Sequence, residues 1–300
     1  MKRSVNGILL LDKPPGFTSN GALQRVKRLY SAKKAGHTGS LDPIATGMLP
    51  ICFGEATKFS QFLLDSDKIY YVVATLGVRT TTGDTEGEVV ETLPLINITR
   101  ERIETIMQTF LGETDQIPPM FSAIKVQGQA LYELARRGIE IERKPRKIKI
   151  FSLTLEDLQT DAFSLRVHCS KGTYVRTLVE DIGRLLGCGA HVKELRREMV
   201  MPYTNVPMFT LPMLEIILET SGNAGLDACL LPVETAVDTF PAVQLSTSAA
   251  FYLRMGQAVR STFPLNSTFV RLVSEDEKFL GIGEVMSDGR VKPSRLVSTQ

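Results

Sequence analysis

The 300-residue chain is 43% hydrophobic and 23% charged with a net charge of +2, the profile of a soluble globular protein of one large domain or one large and one small. No apolar run is long enough to span a bilayer, and the start MKRSVNGILLLDKPPG lacks a small-residue cleavage site, so a cytoplasmic protein is expected. Four scattered cysteines without C-x-x-C spacing and three separated histidines indicate neither a zinc site nor a disulfide framework, so no metal and no cofactor is expected.

The first predicted element is a strand over 6–14, NGILLLDKP, ending in a proline pair. A helix follows over 19–30, with Ser19 as its N-cap and Leu23, Val26, Leu29 and Tyr30 at helical spacing. Residues 36–50, GHTGSLDPIATGMLP, are too rich in glycine and proline for a long helix or strand. Locally, Asp42-Pro43 reads as a helix start, with Asp42 as N-cap and Pro43 at the first helical position. The alternative is a carboxylate held on a glycine-flanked turn that a substrate can approach closely. No phosphate-binding loop and no triad partner accompany it, so a catalytic Asp42 would act largely alone, as nucleophile or base on an uncharged electrophile. His37 on the same stretch reads as a turn residue or a functional one.

Further along, 55–67 reads as a helix, 68–78 (KIYYVVATLGV) as a buried strand, and 80–87 (TTTGDTEG) as a turn-rich loop. In the strand, Tyr70 and Tyr71 fit core aromatics as well as base-stacking platforms. Residues 99–111 read as an amphipathic helix capped by Thr99; 116–150 combine a proline pair, a short helix over 131–137 and an alternating basic strand. A strand over 161–169 and a helix over 173–186 flank HCSKGTYVRT, which gathers Lys171, Tyr174 and Arg176. Arg176 is placed to pair with a buried carboxylate and keep it ionised, or to be a surface cation. Strands and helices mix without regular βαβ alternation, which makes the class α+β. From Pro241 onward short strand-like pieces lie between turn signals, so a small β-rich module is expected after a boundary near residue 240.

Charge is unevenly spread. Residues 1–36 carry eight Lys/Arg against one acid, 124–149 eight against three, and 166–197 seven against three, whereas 84–116 carry eight acids against two arginines. The three basic segments are either one phosphate-binding face or separate solvated surfaces.

In combination, NGILLLDKPPGFTS, GHTGSLDPIATGMLPICFGEATKFSQFLLDSDKIYYV, QIPPMFSAIKVQGQALYELARRG and HCSKGTYVRTLVEDIGRLLGCGAHVKELRR closely resemble the TruB-type tRNA pseudouridine synthases of bacteria. The resemblance runs through most of residues 6–200 in the family's order and spacing. The tail more weakly resembles the small PUA RNA-binding module. The resemblance implies a pseudouridine synthase fold, a mixed and mainly antiparallel sheet flanked by helices, with a catalytic domain over 1–240 and a PUA-like module over 241–300. It implies isomerisation of uridine 55 in the T-loop of tRNA: the N1–C1′ bond breaks, the uracil turns, and C5 rejoins the sugar.

Carried over by motif position, the catalytic aspartate of G-H-T-G-x-L-D-P is Asp42. The tyrosine of D-K-x-Y, which stacks on the flipped base and takes the C5 proton, is Tyr70. The arginine of K-G-T-Y-x-R-T, which pairs with the carboxylate, is Arg176. Tyr174 lines the uracil pocket, Leu195 lies at its floor or edge, His37 enters the T-loop, and Lys171 is a substrate-binding residue. Position 40 is Ser where many relatives carry Thr. The sequence is compatible with attack on C6, attack on C1′ or a glycal route with Asp42 as base. The expected partner is the tRNA T-arm stem-loop, closed upon by a flap over about 117–149, with no membrane, no obligate protein partner and a monomeric state. A non-catalytic tRNA-folding helper and a subunit of an RNA-guided pseudouridylation particle are the alternatives.

Overall fold

The computed structural model describes residues 2–260 and 267–298; the parts of the expected C-terminal module at 261–266 and 299–300 lie outside the described residues. The first strand, β1 (Gly7–Lys13), is buried along nearly its whole length. Its alternation sends Leu9 and Leu11 into one core and Ile8 and Leu10 into another, so both faces of the sheet are covered here. Its outer edge is closed by bridges from Leu11 to Phe209 and from Ile8 to Leu231, which leaves no free ladder.

Helix α1 (Ser19–Leu29) forms as expected but is capped one residue earlier. The Thr18 side chain accepts from the Gly21 N–H, while the Ser19 hydroxyl is committed to the Leu41 backbone. Strand β2 (Ala35–His37) lies beside β3 (Thr46–Phe53). The helix expected over 55–67 is divided into a 3-10 turn over Gly54–Lys58 and a short α2 (Ser60–Asp65). Phe59 is the break, donating its N–H to Ala56 three residues back while its ring is fully buried.

Next come β4 (Lys68–Leu76), the small hairpin β5 (Val78–Thr80) and β6 (Val89–Thr92), and α3 (Arg100–Gln108), capped by Thr99 as expected. Strand β7 (Gly112–Gln116) leads into the hairpin β8 (Lys125–Val126) and β9 (Gln129–Ala130) and the short α4 (Leu131–Ala135). Then follow β10 (Arg146–Leu158), β11 (Ala162–Cys169), α5 (Val175–Leu186), β12 (Ala190–Val200) and α6 (Leu211–Ala228). The sequence reading assigned no element to α6, where a proline sits in the first turn and Gly222 breaks the helical dihedrals.

The large sheet runs β1-β3-β12-β4-β11-β10-β7, with β2 joined to β3. Its ladders are antiparallel apart from the short parallel β12–β3 pairing, as expected for this fold class. The parallel junction brings the Arg196–Arg197 end of β12 against Thr46–Gly47, just after the Asp42 loop. Helices α1, α3, α5 and α6 cover one face in a single apolar cluster.

A second sheet, β13-β15-β16-β17-β14, is built from β13 (Ala242–Leu245), β14 (Val259–Arg260), β15 (Phe269–Ser274), β16 (Phe279–Val285) and β17 (Arg290–Leu296), with helix α7 (Thr247–Arg254) against it. It docks on the first through aromatic rings: Phe62 makes edge contacts with Phe240 and Phe269 at 5.3 and 5.8 Å, and Phe59 meets Phe279 at 5.4 Å. Hydrogen bonds from Lys58 Nζ to the Leu296 carbonyl and from Arg295 to the Lys58 carbonyl fix the seam. No described helix is long and apolar enough to cross a membrane.

Candidate active site

The loop before β3 does not start a helix. The Asp42 backbone carbonyl accepts from the Ala45 N–H at 3.1 Å, closing one turn, and the chain enters β3 at Thr46. The helix reading fails because Gly47 adopts φ +98° against the Arg197 backbone, where a Cβ would stand 2.2 Å from the Arg197 carbonyl oxygen. That close approach commits the chain to the sheet. The loop is pinned from both sides. The Ser19 hydroxyl accepts from Leu41 N–H at 2.7 Å, and the Pro43 carbonyl accepts from Gly16 N–H at 2.9 Å and from Lys13 Nζ at 3.2 Å.

Arg176 reaches Asp42 from the first turn of α5, across 134 residues of chain. Its Nε lies 2.9 Å from Asp42 Oδ2 and its Nη2 donates to Oδ1 at 3.2 Å, a bidentate pair. The remaining donors go to the Thr82 carbonyl at 2.8 Å, the Phe121 carbonyl at 2.7 Å and, at 3.5 Å, Asp84 Oδ2. Its three hydrogen bonds reach acceptors on three separate segments, so the group cannot rotate without breaking several contacts. The side chains of Arg176 and Asp84 are 5% and 3% exposed whereas that of Asp42 is 36% exposed. Asp42 is therefore the carboxylate of the trio that an incoming molecule can touch.

Burial pushes the Asp42 carboxyl above the usual carboxylate range, and neighbouring Asp84 adds to the push; Arg176 and, less, Lys13 oppose it. Lys13 is itself buried, its Nζ ringed by the Pro14, Phe17 and Pro43 carbonyls, and desolvation brings it down to about 8. The expectation that Asp42 acts largely alone is corrected here. Two buried charges that sequence reasoning missed, Asp84 and Lys13, share its surroundings. Asp84 belongs to the turn-rich 80–87 loop, where Thr82 Oγ1 and Glu86 N–H donate to its Oδ1; Lys13 stands in the Asp-Lys-Pro-Pro turn.

Tyr70 sits in β4 directly opposite Arg197 of β12. Burial raises its phenol, and the Arg197 guanidinium beside it works in the opposite direction. Arg197, 1% exposed, was also not anticipated; it donates to the Met48 and Gly39 carbonyls, tying β12 to both ends of the Asp42 loop. His37 ends β2 half-buried, its Nδ1 without a partner among the described residues, and burial with nearby Arg197 holds it below the usual imidazole range. Leu195 is buried on β12 opposite Val72. Tyr174 precedes α5, its backbone clamped by the Gln116 amide, which donates to its carbonyl at 3.0 Å and accepts from its N–H at 2.8 Å. Lys171 is not brought into this group: it is exposed and pairs with Asp65 at the end of α2. Among the described residues no cluster of three or more His, Cys, Asp or Glu side chains could hold a metal ion.

Residues 27–175 match the TruB family pseudouridylate synthase N-terminal domain, 176–238 the tRNA pseudouridylate synthase B C-terminal domain, and 241–297 the C-terminal domain of pseudouridine synthase II TruB. A tRNA pseudouridine synthase B of Coxiella burnetii is 55% identical over 296 residues, which cover 99% of this chain and 96% of that protein. The chain belongs to the TruB family of pseudouridylate synthases. A Vibrio parahaemolyticus tRNA pseudouridine synthase B is 52% identical over 98% of this TruB-family chain and 96% of its own length. In fold, the TruB-family chain is similar to a chain in the crystal structure of a Cbf5-Nop10-Gar1 complex, with a TM-score of 0.75 and 26% identity over 98% of this chain and 84% of that one. The protein is an enzyme of the isomerase class, as its family is.

Proposed function

We propose that this enzyme converts uridine 55 in the T-loop of tRNA to pseudouridine, with Asp42 as the nucleophile. Similar proteins at 55% and 52% identity carry the name tRNA pseudouridine synthase B, which supports tRNA as the substrate. The observation that carries the mechanism is the Asp42–Arg176 pair. It presents one partly open carboxylate on a guanidinium that is held in turn by the Thr82 and Phe121 carbonyls. A nucleophilic carboxylate must be ionised although its pocket excludes water, and the bidentate cation favours the charged form against burial.

The target uridine leaves its stack to reach this site, at a cost of about a few kcal/mol. Stacking on the Tyr70 ring offsets roughly 1–3 kcal/mol of that cost. With the base over Tyr70 and beside Leu195 and Tyr174, the N1–C1′ bond breaks, the uracil turns, and C5 bonds to C1′. The C5 hydrogen leaves as a proton to the Tyr70 oxygen while the buried phenol hands its own proton on, and N1 gains one, so atoms and charge balance with no cofactor. His37 occupies the space the base vacates. Exposed Lys2, Arg28, Lys33 and Lys34 next to β2, with Arg136, Arg137, Lys144 and Arg146 in the 117–149 segment, are suited to the phosphates of the T-arm. That segment acts as the flap. Residues 1–240 form the catalytic domain and 241–300 a PUA-like module, and the protein works as a monomer without an obligate protein partner.

The test is chemical mapping of pseudouridine in unmodified tRNA incubated with the purified chain alone. One pseudouridine, at position 55, is the expected result. Modification at other positions, or only when a guide RNA is added, would overturn the assignment.

A further inference from the structure

Ser122 is 5% exposed, and its hydroxyl has no hydrogen-bond partner within the described protein. A buried hydroxyl without a partner is unfavourable and is retained where something else supplies the partner. Its position says what that is. The preceding residue, Phe121, gives its carbonyl to Arg176 Nη2 at 2.7 Å, so Ser122 is one peptide away from the group that holds Asp42. Its own backbone is fully used: the N–H donates to Met120 and the carbonyl accepts from Tyr132 N–H at 3.1 Å. The polar side chain it faces is the Tyr174 phenol, near enough for the Ser122 hydroxyl to ease that phenol down against its burial, although the two oxygens do not meet in hydrogen-bonding geometry. The backbone of Tyr174 is in turn held by Gln116. The hydroxyl thus has a fixed origin, between the two residues flanking the Asp42 pocket, and a free valence.

We propose that Ser122 is a base-recognition residue, its hydroxyl donating to a carbonyl oxygen of the uracil drawn in beside Asp42. This rests on the reading of the protein as a uridine isomerase with an extruded base. A uracil ring presents two carbonyl oxygens and one N–H on its pairing edge, and flipped bases are read along that edge. The Ser122 hydroxyl is closed off from solvent. Entry of the base therefore requires the Phe121–Ser122 peptide or the Tyr174 ring to shift, and the incoming carbonyl replaces the contact that Ser122 lacks.

The test uses the full chain, its Ser122→Ala variant and its Ser122→Cys variant. Each is given T-arm stem-loops carrying uridine, 2-thiouridine or 4-thiouridine at the target position, with single-turnover rate and RNA affinity read for each pair. Removing one hydrogen bond made to the reacting base is expected to slow Ser122→Ala about tenfold on uridine RNA, with RNA affinity within about twofold. On one of the two thio-substituted RNAs the penalty is expected to vanish, because sulfur accepts hydrogen bonds poorly and the contact is already lost. Ser122→Cys, which keeps the size and a weak donor, falls between, and serves alone if the alanine variant does not fold. A wild-type rate on uridine RNA, or an equal penalty on all three RNAs, overturns the proposal and leaves a structural serine. A wild-type chain that fails to convert the uridine RNA contradicts the functional reading itself and not the role of Ser122 within it.

Discussion

Asp42 combines two opposed demands. As the proposed nucleophile it must be accessible to a nucleic-acid base, yet ionised in a setting where burial raises its carboxyl. The consequence is a pH dependence with a definite sign. As pH falls, Asp42 gains its proton and the reactive form disappears. The acid limb of the single-turnover rate should therefore lie above the ordinary aspartate value of about 3.9. Asp84→Asn removes the negative neighbour that adds to the upward push, and should move the limb to lower pH. A limb unmoved in Asp84→Asn would show that Asp84 does not act on Asp42 through its charge. At this scale the pairing of Asp42 with Arg176 was legible, because both stand in motifs whose combination resembles one family. Asp84, Lys13 and Arg197 were not, since nothing local marks a residue in TTTGDTEG or Asp-Lys-Pro-Pro as buried beside a distant carboxylate. Lys171 shows the converse: it shares a motif with Arg176 yet turns outward to Asp65.

Among elements, α5 decides whether the site exists, because it alone carries Arg176 to Asp42. Its amphipathic pattern made it readable, and its buried positions (Val175, Leu178, Val179, Ile182 and Leu186) are those of one helical face. Gly183 lets this face approach β12: a Cβ there would come within 2.3 Å of the Ala190 nitrogen. Gly183→Ala should cost about 1–3 kcal/mol of stability, the range for overpacking a tight contact. It should also slow turnover by pushing Arg176 away from Asp42. Urea unfolding with a parallel rate measurement checks both, and a variant with wild-type stability would show that the helix has room to spare. The failed expectation lies in the Asp42 loop, whose Asp-Pro pair matches a helix start so well. Propensity at two positions lost to a parallel strand contact 155 positions away, Gly47 against Arg197, that no local pattern encodes. The same reason explains Ser19, a good cap by type whose hydroxyl went to Leu41 instead.

Across the whole molecule, the α+β class and the late β-rich module were legible from alternation and turn signals. The docking between the two sheets was not, because Phe59 and Phe62 fall inside the helix expected over 55–67 and nothing in sequence names Phe240, Phe269 and Phe279 as their partners. Phe62→Ala should lower the unfolding free energy by about 3 kcal/mol and expose the chain near residue 240 to protease. An unchanged denaturation midpoint would mean that the seam carries little stability. In the mechanism proposed above, the assembly as a whole serves one chemical step, attack by a carboxylate that three distant segments keep paired and open on one side. The most direct measurement of that claim is the rate of pseudouridine formation on a T-arm stem-loop by Asp42→Asn beside wild type, with RNA affinity measured on both. Asn keeps the size and a hydrogen-bond acceptor for Arg176 but cannot act as a nucleophile or take a proton. The account predicts a loss of at least about a thousandfold in rate with RNA affinity within a few fold. An Asp42→Asn protein that still converts the uridine at near the wild-type rate would contradict it.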